Sequence, residues 1–124
     1  MTTDKLIRLV LPWPPSVNAA WRHTSTGGKV HTYLTDKQKK YRLAVCLFAL
    51  RDRCRHKVPG IVSVTISLYP PTKHRRDIDN HVKAILDALT AAGVWLDDSQ
   101  VDELHVYRRD QVKHGRAVVE VLPL

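Results

Sequence analysis

The sequence predicts a small single-domain α+β protein, a mixed β-sheet with two main helices packed on it. Its 124 residues fit one domain of ordinary size and leave no room for a second. At 44% hydrophobic residues the chain has enough apolar side chains for a real core, which argues against wholesale disorder. Segments of strand-like alternation and of helical period interleave in the order β–α–β–α–β–β, the pattern of a sheet with helices laid on it.

Lys5 to Leu11 is a short apolar strand, stopped by Pro12-Trp13-Pro14-Pro15. From Pro12 to Tyr33 the chain is rich in Pro, Gly and polar residues, with Gly27-Gly28 marking a turn. It reads as a long loop of the functional or mobile kind. Thr35 opens a long helix, and Thr35 with Gln38 has the spacing of a capping box. Tyr41, Val45 and Phe48 form an apolar stripe, with Leu43, Leu47, Leu50 and Cys54 beside it, and Pro59-Gly60 ends the helix. Ile61 to Tyr69 alternates, with Val62, Val64, Ile66 and Leu68 on one face and Ser63, Thr65 and Ser67 on the other, and is a half-buried strand. A second helix runs from Asp77 to about Ala92, with Ile78, Val82, Ile85 and Leu89 at helical spacing and Gly93 as its stop. Two further strands, Glu103 to Arg109 and Arg116 to Leu122, are expected to pair as a hairpin joined near His114-Gly115.

Lys and Arg number 20 against 12 Asp and Glu, a formal net charge of +8. A surplus of that size favours a polyanionic partner, nucleic acid foremost. An acidic membrane surface would call for an amphipathic basic helix or a lipid signal as well. The longest apolar run, Leu43 to Leu50, is far short of the roughly 20 residues of a membrane span. The opening MTTDKLIRLV lacks the apolar core of a secretory signal. Cys46 and Cys54 fall two turns apart in the first predicted helix, about 12 Å, which is too far for a disulfide. Both are expected to be reduced thiols in a cytoplasmic protein.

The strongest chemical signal is Arg75-Arg76-Asp77-Ile78-Asp79-Asn80 with Lys83, followed by Trp95-Leu96-Asp97-Asp98. Asp77 and Asp79 stand where a loop leaves a strand and enters a helix, and Lys83 shares a helix face with Asp79. Asp97 and Asp98 lie just past the far end of that helix, so a chain that folds back there gathers three or four carboxylates. Such carboxylates repel one another unless a cation compensates, and hard oxygen donors suit Mg²⁺ or Mn²⁺. A metal held there polarises a phosphoryl oxygen and activates an attacking water, the requirements of phosphodiester hydrolysis. Lys83 would meet negative charge as it develops, and Lys73, Arg75 and Arg76 would grip flanking phosphates.

Plainer readings stand beside this one. An Asp before a helix serves as an N-cap, Asp79 with Lys83 makes a surface ion pair, and Asp97-Asp98 makes a turn. Other constellations carry less. Cys54, His56, His23, His31 and His74 lack the paired spacing of a zinc site, and Ser16, Ser25 and Ser99 sit in no nucleophile elbow. Gly27-Gly28 belongs to no phosphate-binding loop.

The sequence resembles the RusA family of Holliday-junction resolvases in three blocks. These are Leu11-Pro12-Trp13-Pro14-Pro15-Ser16-Val17-Asn18 with Trp21-Arg22-His23, then Arg75 to Asn80 with Lys83, then Gly93-Val94-Trp95-Leu96-Asp97-Asp98 with Gln100-Val101. Ile78 departs from the Leu commoner in the family. The resemblance implies a homodimer with two active sites that makes paired, symmetric nicks in four-way DNA junctions during recombination and repair, using Mg²⁺ or Mn²⁺. It implies no small-molecule cofactor and no membrane. It also implies Asp77, Asp79 and Asp98 as catalytic metal ligands and Lys83 as the essential cation. The first helix, apolar over more than one stripe, is a candidate for the dimer interface, which the sequence alone does not locate. Two alternatives remain at this stage: a non-catalytic junction- or DNA-binding architectural protein, and a nuclease for other branched nucleic acids.

Overall fold

The structure, a computed structural model, describes residues 6–124 and, at Thr26, the backbone alone. The expected start of the first strand at Lys5, and the residues before it, lie outside the described residues. In chain order the elements are β1 (Ile7–Leu11), a short α1 (Val17–Ala20), β2 (Trp21–Thr26), β3 (Lys29–Leu34), α2 (Asp36–Arg51), β4 (Val62–Tyr69) and α3 (Val82–Ala91). A 3-10 turn (Asp98–Gln100), β5 (Val101–Arg108) and β6 (Arg116–Pro123) complete the chain. The α+β class holds. β1, β6, β4 and β5 form one mixed sheet in that order, and β2 pairs with β3 in a separate two-stranded ribbon.

The alternation of β4 does what its sequence predicts: Val62, Val64, Ile66 and Leu68 are buried, and the serines and threonine between them are not. Leu9, Val119 and Ile66 align across β1, β6 and β4 in one buried row. Tyr41, Val45 and Ala49 of α2 and Ile85, Ala88 and Leu89 of α3 belong to the same core. Gly93 ends α3 as expected. At φ 78° its N–H donates to Thr90 O while Val94 N–H donates to Leu89 O, which satisfies two end carbonyls of the helix.

Several expectations change. β5 and β6 form no hairpin, because β4 lies between them, antiparallel to β6 and parallel to β5. The buried alternation of β6 (Ala117, Val119, Val121) suits an interior strand, whereas Asp102, Glu103, His105 and Arg108 suit β5 to an edge. The linker crosses the end of β4, with Arg109 N–H on Leu68 O and Val112 N–H on Pro70 O. The expected loop from Pro12 to Tyr33 is largely ordered as α1 and the β2–β3 ribbon, turned at Gly27-Gly28.

The first long helix ends at Arg51, before Cys54, whose buried Sγ donates to Asp52 O instead of continuing a helical stripe. Leu43, Leu47 and Leu50 are about 60% exposed, while Gln38 takes a core position. The capping box is half-made. Thr35 Oγ1 accepts from Gln38 N–H, but the Gln38 side chain turns inward to Ala84 O (3.1 Å) and Asp87 Oδ2 (2.8 Å). The Thr35 N–H that a full box would pair with the Gln38 side chain donates instead to Ala20 O. The second helix starts at Val82, so Asp77 to His81 form turns leading into it, and Ile78 is exposed rather than part of the buried stripe.

Candidate active site

The chain leaving β4 passes through Pro70-Pro71 and the basic run Lys73 to Arg76 before turning at Asp77. Asn80 N–H donates to Asp77 O and Val82 N–H to Asp79 O, so both aspartates sit on the backbone turns that launch α3. Three anchors fix this entry. Val17 N–H, at the start of α1, donates to Asn80 O at 2.9 Å. His81 Nδ1 bonds Pro14 O at 3.1 Å, and its buried ring packs against Trp13 with centroids 4.8 Å apart. Burial lowers the His81 pKa, against the raising effect of the Pro15 and Pro14 carbonyls; the nearby Arg76 lowers it further.

Asp77, Asp79 and Lys83 are exposed, and neither carboxylate makes a side-chain hydrogen bond or ion pair among the described residues. The Lys83 ammonium lies 4.6 Å from the centroid of the Trp21 ring, at the root of the ribbon. An aromatic face holds a cation without neutralising it, so Lys83 is positioned and still available to an anion. The helix carrying it is tied to α2 by Arg42, whose Nε and Nη2 donate to the two oxygens of Asp87 at 2.7 and 2.6 Å.

Beside Asp77 opens a cleft of about 510 Å³, lined among others by Trp13, Lys73, Arg75, Arg108, Arg109 and Asp77. Lys73 and Arg75 are exposed and make no side-chain bond among the described residues. Arg76 is engaged: its guanidinium donates to Thr72 O, His74 O and Thr72 Oγ1 and lies over the Trp13 ring. It organises the basic loop from within.

Asp98 stands elsewhere. α3 carries the chain over ten residues, about 15 Å, away from Asp79, and Asp98 lies beyond the helix end at the start of β5. Among the described residues no three His, Cys, Asp or Glu side chains gather closely enough to hold an ion. The intramolecular convergence that the sequence suggested does not form. Asp97 and Asp98 do separate in role. Asp97 caps the 3-10 turn, its Oδ2 accepting from Ser99 N–H, while Gln100 Oε1 accepts from Asp97 N–H and Gln100 Nε2 ties the turn to Val58 O and Gly60 O. These Ser99 bonds hold the Asp97 carboxyl below its ordinary range. The Asp98 side chain makes no such bond.

The sequence matches the family described as endodeoxyribonuclease RusA over residues 12–122, which includes the anchors, both aspartates, Lys83 and Asp98. This chain belongs to the RusA family. It is 36% identical over 108 residues to the crossover junction endodeoxyribonuclease RusA of Escherichia coli strain K12, covering 87% of each chain. The RusA of Enterobacteria phage 82 is equally similar, and that of Enterobacteria phage HK97 is 32% identical over 117 residues, 94% of each chain. Sequence reasoning reached the family through the same three blocks. It missed the contact of Trp21 with Lys83 and the Gln38–Asp87–Arg42 cluster, whose partners lie 45 to 62 positions apart in the chain.

Proposed function

We propose that this chain is a divalent-metal-dependent endonuclease that resolves four-way DNA junctions by paired symmetric nicks, acting as a homodimer in the cytoplasm. The observation that carries this reading is a pair of unengaged carboxylates, Asp77 and Asp79, on the turns that lead into the helix bearing Lys83, with Asp77 lining a basic cleft. The donor set fits Mg²⁺ or Mn²⁺, which is held by one or two carboxylates and completed by water and phosphate oxygens. When bound, the ion supplies Lewis acidity toward the scissile phosphate and its attacking water. Asp77 and Asp79 would hold it. Lys83 meets the negative charge that develops on the phosphate, at a position set by Trp21. Lys73 and Arg75 grip flanking phosphates.

Asp98 joins this site through a second copy. α2 runs alongside α3 from the Asp77 end of the molecule toward the Asp98 end, with Gln38 near Ala84 and Arg55 on Ala92 O. Its exposed Leu43, Leu47 and Leu50 recur at i, i+4 and i+7, a stripe suited to burial against another helix. A two-fold axis across α2 pairs the helices head to tail and lays the Asp98 end of one copy beside the Asp77 end of the other. Two such sites related by a two-fold match a junction of near two-fold symmetry.

The test is a cleavage assay on a labelled, partly mobile four-way junction, with Mg²⁺ and with excess chelator, beside linear duplex of equal length. Paired, metal-dependent nicks confined to the junction support the proposal. Tight binding without cleavage in Mg²⁺, or in a parallel Mn²⁺ arm, would point to an architectural protein, and stronger cleavage of competing forks or RNA of equal length to another nuclease.

A further inference from the structure

The β2–β3 ribbon takes no part in the core. Beyond its root at Trp21 and Leu34 its described side chains are exposed on both faces, and an isolated two-stranded ribbon has little stability of its own in water. The root is nonetheless held firmly. Thr35 N–H donates to Ala20 O and Thr35 Oγ1 to Ala19 O, Val17 N–H donates to Asn80 O, and Trp21 lies under Lys83. The ribbon is therefore an arm projecting from the edge of the candidate active site.

Its register sorts the side chains by face. Arg22 pairs with Tyr33, Thr24 with His31 and Thr26 with Lys29 on one face, whereas Trp21, His23 and Ser25 pair with Leu34, Thr32 and Val30 on the other. Arg22, His31 and Lys29 thus occupy successive cross-strand rows of a single face, with Tyr33 beside Arg22. No Asp or Glu occurs between Asp4 and Asp36, so nothing on the ribbon neutralises them. Arg22 makes only a 3.5 Å contact with Trp21 O, and Lys29 and His31 make no side-chain bond among the described residues. On the opposite face His23 is paired with Thr32 Oγ1 at 3.0 Å.

We infer that the face bearing Arg22, Lys29, His31 and Tyr33 is a second DNA-binding surface, which tracks the phosphate backbone of the duplex arm next to the cleavage site. Arg22 and Lys29, with the His31 imidazole in the row between them, form a line of hydrogen-bonding side chains about 7 Å apart along the ribbon, a spacing that suits repeated contacts with one backbone. A two-stranded ribbon also fits the major groove of a duplex. This role rests on the endonuclease reading of the site, but it concerns grip and not chemistry.

The experiment measures junction affinity by fluorescence anisotropy across a salt series, in chelator to prevent cleavage. It compares the wild-type protein with a triple variant (Arg22→Ser, Lys29→Ser, His31→Ser) and an opposite-face triple (His23→Ser, Val30→Ser, Thr32→Ser). A single Lys29→Glu variant at the ribbon tip serves if the triple unfolds. The first variant is expected to bind at least tenfold more weakly, with a salt slope smaller by about 2, while its single-turnover cleavage rate at saturating protein stays at the wild-type value. The opposite-face triple is expected to match the wild type. Unchanged affinity and slope in the first triple and in Lys29→Glu would overturn the inference, as would equal losses from both faces. A wild-type protein that binds no DNA would overturn the endonuclease reading itself, an outcome separate from failure of the ribbon variants alone.

Discussion

Asp77 and Asp79 are exposed acids in a basic protein that nonetheless make no ion pair among the described residues, an arrangement suited to an external cation. Asp77→Asn or Asp79→Asn should lower junction cleavage about 100-fold or more while leaving junction affinity unchanged or tighter, since repulsion of phosphate falls. Gel-shift and cleavage assays on the same preparations check both halves. Trp21 acts through Lys83. Trp21→Ala should lower the saturated cleavage rate up to about tenfold with little change in KM, and Trp21→Phe should restore most of it, because an aromatic face remains. Asp87 shows how charge sets stability. Burial raises its pKa, but the hydrogen bonds of Arg42 and Gln38 outweigh that and hold the carboxyl below its ordinary value. Its stabilising contribution is present above the unfolded value near 3.8 and is lost as pH falls through the lower folded value. Denaturant melts of Asp87→Asn should therefore show a cost of about 1–2 kcal/mol at pH 7, discounted for partial exposure, that shrinks below about pH 3.8.

At the scale of elements, local pattern was legible and partnership was not. The period-2 alternation of Val62 to Leu68 and the Gly93 stop are written in neighbouring residues, and both hold. The order of strands is not local. Nothing between Glu103 and Leu122 says that β4 lies between β5 and β6, although the charges of β5 and the continuous apolar set of β6 distinguish an edge from an interior strand. Gln38 shows the same limit, since its inward turn depends on Ala84 and Asp87 in another helix. The crossing linker ends at Gly115, at φ 70°, where an added Cβ would lie 2.9 Å from Pro71 Cδ and 3.0 Å from Trp13 Cβ. Gly115→Ala should cost about 2 kcal/mol in denaturant melts. Gly28→Ala, also at positive φ but with open space around it, should cost about 1 kcal/mol.

At the scale of the whole molecule, the sequence placed Asp77, Asp79, Lys83 and Asp98 in one functional set, but the fold puts Asp98 at the far end of α3. Spacing along a chain does not tell whether residues converge within one copy or between two. In the proposed dimer the α2 stripe would tie assembly to activity: Leu47→Glu, at a site already exposed in the single chain, should yield a folded monomer by sedimentation that no longer makes paired nicks. The most direct measurement mixes two inactive variants, Asp77→Asn and Asp98→Asn, refolded together so that subunits exchange, and assays junction cleavage. In a mixed dimer one site carries both substitutions and the other carries neither. A site shared between two copies gives no cleavage by either variant alone, and in the mixture single-strand nicking at up to about a quarter of the wild-type sites. A mixture as inactive as its components, beside a wild-type protein that cuts, would contradict a site shared between two copies.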